Sequence, residues 1–349
     1  MRRLKRIHFI ERRNVDVSDG RDHGATTLIV AMLLVVLLGF AALAVDVGAL
    51  YAEKAQLQNG ADSAALAIAG DCAAGNCGST SVTASQFANG NANDGSSGVS
   101  SITFPQATTV RVETNSRDAT TGSNSFSLFF ARVLGISSAD VRASAQASWG
   151  PPSTGTTLPW TMSECVFEKY LTPSQLAQLQ STGNFTGDPV PTHILMRYDS
   201  NAPTYPGCAA QNGYEPGGFG WLTTDSGCST NISVSAQVNG QPGNHFPNAP
   251  ACSTVLSTIM DKPVLVPLFN SATGNGSNAT YTLVGFGAFQ VTGYRFSGSG
   301  GVSDSLAPSC TGNCRGIQGF FARFVSLQEG MSIGGGLPNF GASVIALTG

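Results

Sequence analysis

The chain has 349 residues and is sparsely charged, with 18 Lys and Arg against 21 Asp and Glu, a net charge of −3 and 11% charged residues. With 42% of residues hydrophobic this is not a disordered composition, and neither the acidic balance nor any basic run suits a nucleic-acid partner. Length leaves room for one or two folded domains beside any targeting segment.

Residues 1–23 form a basic tail with Arg2, Arg3, Lys5, Arg6, Arg12, Arg13 and Arg21 against Glu11, Asp16, Asp19 and Asp22. Residues 25–45 then run uncharged and apolar with no polar face. At about 1.5 Å per residue the run matches the roughly 30 Å hydrocarbon core of a bilayer, so residues 24–48 are expected to be a single transmembrane helix. The positive tail places the N-terminus in the cytoplasm and the rest outside. A cleaved signal is the rival reading, with Ala42-Leu43-Ala44 as a loose cleavage site. Asp46 stands where the helix leaves the lipid, and its expected role is to set helix depth.

From Asp46 to Ala69 the sequence stays helical in character. Leu50, Leu57, Ala61, Ala64 and Ile68 make one stripe, expected to pack within the chain. Residues 80–93 are expected to form a short helix and Asn93–Ser101 a loop. Thr108–Glu113 reads as a strand and Ser125–Leu134 as an amphipathic helix ending at Gly135. Val141, Ala143, Ala145, Ala147 and Trp149 alternate with polar residues, the period of a half-buried strand. Residues 49–150 thus read as a long helix plus a small α+β domain.

The Pro- and Gly-containing stretch 151–159 reads as a linker. Beyond it, 160–349 reads as an extracytoplasmic, mostly β domain, with strands over 263–269, 281–294 and 319–325. One helix is expected over Leu171–Gln180, with Thr172 as N-cap before Pro173. The expected fold class is α+β: a transmembrane helix continuing into a small α+β domain, then a mostly β, disulfide-bonded domain.

All eight cysteines, Cys72, Cys77, Cys165, Cys208, Cys228, Cys252, Cys310 and Cys314, follow the apolar run, as disulfides in an oxidising compartment would. Cys72–Cys77 closes a short turn. Short loops favour Cys310–Cys314 and Cys228–Cys252, leaving Cys165–Cys208. Zinc is the competing use of clustered cysteines, but the spacings are not two CxxC knuckles and only His193 and His245 could add ligands outside. No metal or cofactor site is expected.

No HExxH, Walker A or GxGxxG motif is present, and Gly298–Gly301 reads as a loop. His193 lies in a strand-like run and reads as a core histidine; His245 reads as a surface residue. Glu164 and Glu168 share helical spacing around Cys165 but read as solvated charges, and no catalytic residue is assigned.

A family resemblance rests on residues 21–70. Its most specific parts are Ala44-Val45-Asp46-Val47-Gly48, Tyr51, Gln56-Leu57-Gln58-Asn59 and Ala61-Asp62-Ser63-Ala64-Ala65-Leu66-Ala67. These resemble the TadG-like region of the Flp (tight-adherence, Tad) pilus-assembly system, as do residues 129–136 and, less specifically, 218–222 and 315–321. The resemblance implies a single-pass protein of the bacterial plasma (inner) membrane with an exported domain. The implied role is non-enzymatic: an accessory of pilus assembly or surface adhesion, with the bilayer and other pilus-assembly proteins as partners. Pilin-type processing is not implied, because Ile29 stands where related pseudopilins carry a Glu five residues after Gly24. No DxSxS metal-binding motif occurs. The alternative is an anchored extracellular enzyme or carbohydrate-binding module with its site in 160–349.

Overall fold

The computed structural model describes residues 23–187, 190–199, 201–208, 218–224, 227–241, 250–274, 278–297, 300–326 and 331–349. The basic tail up to residue 22, His245 and the Gly298–Ser299 part of the expected loop lie outside the described residues.

One unbroken helix, α1 (His23–Ala73, 51 residues), dominates the N-terminal region. Its two halves meet different surroundings. From Leu28 to Val47 the large apolar side chains are exposed, and the most apolar window buries nothing. From Leu57 to Ala73 one face is buried, including Leu57, Ala61, Ala64 and Ile68 of the expected stripe. Helix α2 (Thr80–Gly90) packs on α1 so closely that a Cβ at Gly60 would lie 3.2 Å from the Ala88 Cα. Only a residue without a side chain fits there without displacing backbone.

The chain then forms β1 (Ser97–Gln106), β2 (Thr109–Ser116), β3 (Phe126–Ser127), a 3₁₀ turn (Ala131–Leu134), β4 (Ser138–Ala139) and β5 (Arg142–Gly150). Ser97–Ser101, expected as loop, is the start of β1, because hydrogen bonds to β2 override its Gly/Ser composition. The helix expected over Ser125–Leu134 is replaced by the short β3–β4 ribbon and the single 3₁₀ turn. Gly135, at φ 86°, ends that turn. In β5 the period-2 pattern is met, with Ala143, Ala145 and Ala147 buried beneath α1. A buried hydrogen bond from Thr114 Oγ1 to the Leu57 carbonyl, 2.9 Å, ties β2 to the helix.

The remaining elements are β6 (Thr154–Thr157), β7 (Trp160–Ser163), α3 (Glu164–Tyr170), α4 (Pro173–Thr182), β8 (Ile194–Arg197), β9 (Phe219–Leu222), β10 (Thr230–Ser233), β11 (Gln237–Gln241), α5 (Pro250–Thr258), β12 (Pro263–Thr273), β13 (Thr280–Arg295), β14 (Gly301–Val302), β15 (Gly316–Ala322), β16 (Phe324–Ser326) and β17 (Ala342–Leu347). Thr172 caps α4 in a reciprocal capping box with Gln175, so the helix starts at Pro173. The stretch 151–159 contains β6, which pairs with β10.

The main sheet of this region runs β11-β9-β7-β12-β13-β15-β8, with β14 on β13. Because β11 pairs both β9 and the start of β13, the strands β11, β9, β7, β12 and β13 close into a ring. A second, five-stranded sheet runs β1-β2-β5-β17-β16. The C-terminal strand β17 thus returns to pair with β5 under α1. Disulfides join Cys72–Cys77, Cys165–Cys208, Cys228–Cys252 and Cys310–Cys314. The fold is α+β: a long apolar helix, a small helix and a mostly β C-terminal region with four disulfides.

Candidate functional site

The part of the molecule with the clearest physical demand on its surroundings is the point where α1 passes from its exposed half to its buried half. Asp46 sits there, only 5% exposed. Its carboxylate accepts three consecutive backbone N–H groups: Phe129 at 3.0 Å, Phe130 at 2.9 Å and Ala131 at 2.6 Å. These N–H groups open the 3₁₀ turn and would otherwise be the unsatisfied donors of a helix start, which a carboxylate complements by hydrogen bonding and by charge. The turn also explains the lost helix: Asp46 orders a single turn, and Gly135 stops it.

Around this latch lies an apolar groove of about 390 Å³, bordered by Val36, Gly39, Phe40, Ala42 and Leu43 of α1 and by Phe130, Val133 and Leu134. Asp46 was legible in sequence as a boundary residue. Its partners were not, because they lie 83 to 85 residues away and use main-chain groups that any sequence supplies.

Among the described residues, the other candidates do not converge on a reactive centre. His193 precedes β8, with Nδ1 2.5 Å from Asp304 Oδ2. The same oxygen accepts from Thr292 Oγ1 at 2.5 Å, Oδ1 accepts the Leu306 N–H, and the Asp304 N–H donates to Gln318 Oε1. Burial pushes the Asp304 carboxyl up, but the bonds from His193, Thr292 and Leu306 outweigh it and hold it below the usual range. The network fastens the segment after β14 to β13, β15 and His193. Glu164 and Glu168 both lie on α3, and Glu164 is pushed up by burial and by the charge of Glu168.

Asp199 is a node that sequence reasoning missed. It binds Arg197 at 2.6 and 2.9 Å and accepts N–H groups of Asn201 and Arg315. Among the described residues no group of His, Cys, Asp and Glu is placed to hold a metal ion.

A helix long and apolar enough to cross a membrane, joined to a disulfide-bonded domain, defines a membrane-anchored protein with an exported domain. Residues 24–72 match the family model described as putative Flp pilus-assembly TadE/G-like, so the N-terminal region is similar to that family. No curated protein and no solved structure matches the chain significantly. The match covers α1 almost end to end, both the lipid-type half and the half buried against α2 and β5.

Proposed function

We propose that the protein is a membrane-anchored, non-enzymatic accessory of Flp/Tad pilus assembly or surface adhesion, acting through α1 and its exported domain. The observation that carries this reading is the continuity of α1: one helix runs without a break from an exposed apolar half into the core of a folded unit, over the segment that matches the pilus-assembly family. Motion or force on the span would reach the folded unit packed on α1 through a rigid element. In this reading residues 1–23 are a cytoplasmic tail, 24–48 cross the bacterial plasma (inner) membrane, and 49–150 form the TadG-like helix and small domain. Residues 151–159 connect it to the outer domain, 160–349. Other pilus-assembly proteins are its partners, meeting the helix within the membrane.

The test is deletion of the chain from its host, with sheared surface pili counted against the parent. Loss of pili, restored by the intact chain but not by residues 1–70, is the expected result. Normal pili with unchanged adhesion would sink the reading and turn attention to an enzyme or carbohydrate-binding role for residues 160–349.

A further inference from the structure

The loop after β3 is unusual for a surface in water. Phe129, Val133, Leu134 and Ile136 are all more than half exposed, Val133 at 90%. Such a cluster marks an interaction surface. Its position says which one. Val133 and Leu134 border the same groove as Val36, Phe40 and Leu43 of α1. Val36 lies ten residues before Asp46, about 15 Å down the helix axis and so about half the hydrocarbon thickness. A bilayer that covers the exposed half of α1 therefore also covers these loop side chains.

The loop backbone is suited to that environment, where unpaired polar groups are excluded. The N–H groups of Phe129, Phe130 and Ala131 go to Asp46. Those of Leu128, Val133, Gly135 and Ile136 go to carbonyls within the loop or at Ser137. Arg132, exposed on the same turn, has the length to carry its charge to the headgroups. Tyr51, 74% exposed on α1 just above Asp46, sits at the level where aromatic side chains mark the membrane interface.

We propose that residues 129–136 are a second membrane-inserted element, a wedge in the acyl layer of the outer leaflet, and that Asp46 latches it to α1. Two points of insertion hold the exported domain at a set height and tilt, where a single helix would let it rotate. The inference rests on α1 crossing the membrane, and the experiment separates the two.

The full chain, its native cysteines oxidised, is reconstituted into phosphatidylethanolamine–phosphatidylglycerol vesicles without other proteins. A nitroxide is attached after Val133→Cys, with Val35→Cys on the span and Val82→Cys on α2 as lipid and water references. Collisions with oxygen and with an aqueous nickel chelate are then measured. The expected result is an oxygen-rich, nickel-poor pattern at 133 that matches 35 and differs from 82. A pattern at 133 that matches 82 while 35 remains lipid-like overturns the wedge, and assigns the loop to a protein partner missing from the vesicles. An aqueous pattern at 35 would instead overturn the membrane reading itself. Asp46→Ala, in a protein whose label at 82 is unchanged, should shift 133 toward the aqueous pattern; an unmoved label overturns the latch.

Discussion

The core beneath α1 is made mostly of small side chains, Ala61, Ala64, Ala65 and Ala69 from the helix, Ala84 from α2, and Ala145 and Ala147 from β5, with Ile68, Val110, Val112 and Ile345 among them. The core of the C-terminal region is filled instead by Trp160, Phe167, Phe219, Trp221, Phe289 and Phe340. Phe167 alone meets Phe185, Phe321 and Phe340 edge-to-face, with centroids 4.5 to 5.7 Å apart. The difference follows from what each core must join. A long helix that leaves the membrane can lie tightly on a sheet and a second helix only if the facing side chains are short. The C-terminal core, enclosed by the main sheet and the helices packed on it, has a larger interior that aromatic rings fill. One core is therefore limited by space and the other by volume.

The contrast breaks most readily at Phe167. Phe167→Ala removes a fully buried ring and should cost about 3–5 kcal/mol, read as a lower urea midpoint of the detergent-solubilised chain. The loss should appear in the near-ultraviolet signal of the aromatic core while the helical signal of α1 persists. Joint loss of both would mean that the two cores unfold as one unit.

The disulfides sharpen the same comparison. Cys165–Cys208 closes a separation of 43 residues on the aromatic side, Cys310–Cys314 one of only 4. Replacing the first pair by Ala should cost about 2–4 kcal/mol, and replacing the second about 2 kcal/mol less on loop-closure grounds. Equal shifts in the denaturation midpoint would argue against a chain-entropy origin.

Enlargement should hurt where truncation does not. Ala64→Leu, at a fully buried helix position, is expected to cost about 1–3 kcal/mol by overpacking. Thermal unfolding of the variant measures it, and a neutral result would show that the helix–sheet gap can open.

The smallest effect belongs to Asp118. Backbone and side-chain hydrogen bonds from Thr121, with Ser127 Oγ, lower its carboxyl to about 2. A depressed carboxyl supports the fold above its ordinary value near 3.8, and that support disappears as pH falls through about 2. The protection factor of the Thr121 amide, which donates to Asp118 Oδ1, should fall over that interval; constant protection would remove Asp118 as its cause.

Much of the architecture was legible because it is periodic. The apolar run, the stripe from Leu57 to Ile68, the alternation in β5 and the Thr172–Pro173 start of α4 each show within one or two turns of chain. Close cysteines such as Cys72 and Cys77 can meet with little chain between them. Where local signals failed, a distant partner had overruled them. Ser97–Ser101 reads as loop but is held in β1 by β2, and Ser125–Leu134 reads as a helix but is held to one turn by Asp46. The candidate site was half legible: Asp46 marks the end of the uncharged apolar run in the sequence, whereas its three N–H donors carry no side-chain signature.

By itself, then, the sequence determined the span, the continuity of the long helix, the α+β class and the exported character implied by its cysteines. These depend on hydrophobic period and composition, which act between near neighbours. Only the tertiary structure decided that β17 completes the sheet under α1, that β11 closes the ring with β13, and that Arg323 hydrogen-bonds the Ala73 carbonyl at the end of α1. Those contacts join main-chain groups or single side chains across as many as 250 residues, and no local pattern encodes a partner that far along the chain.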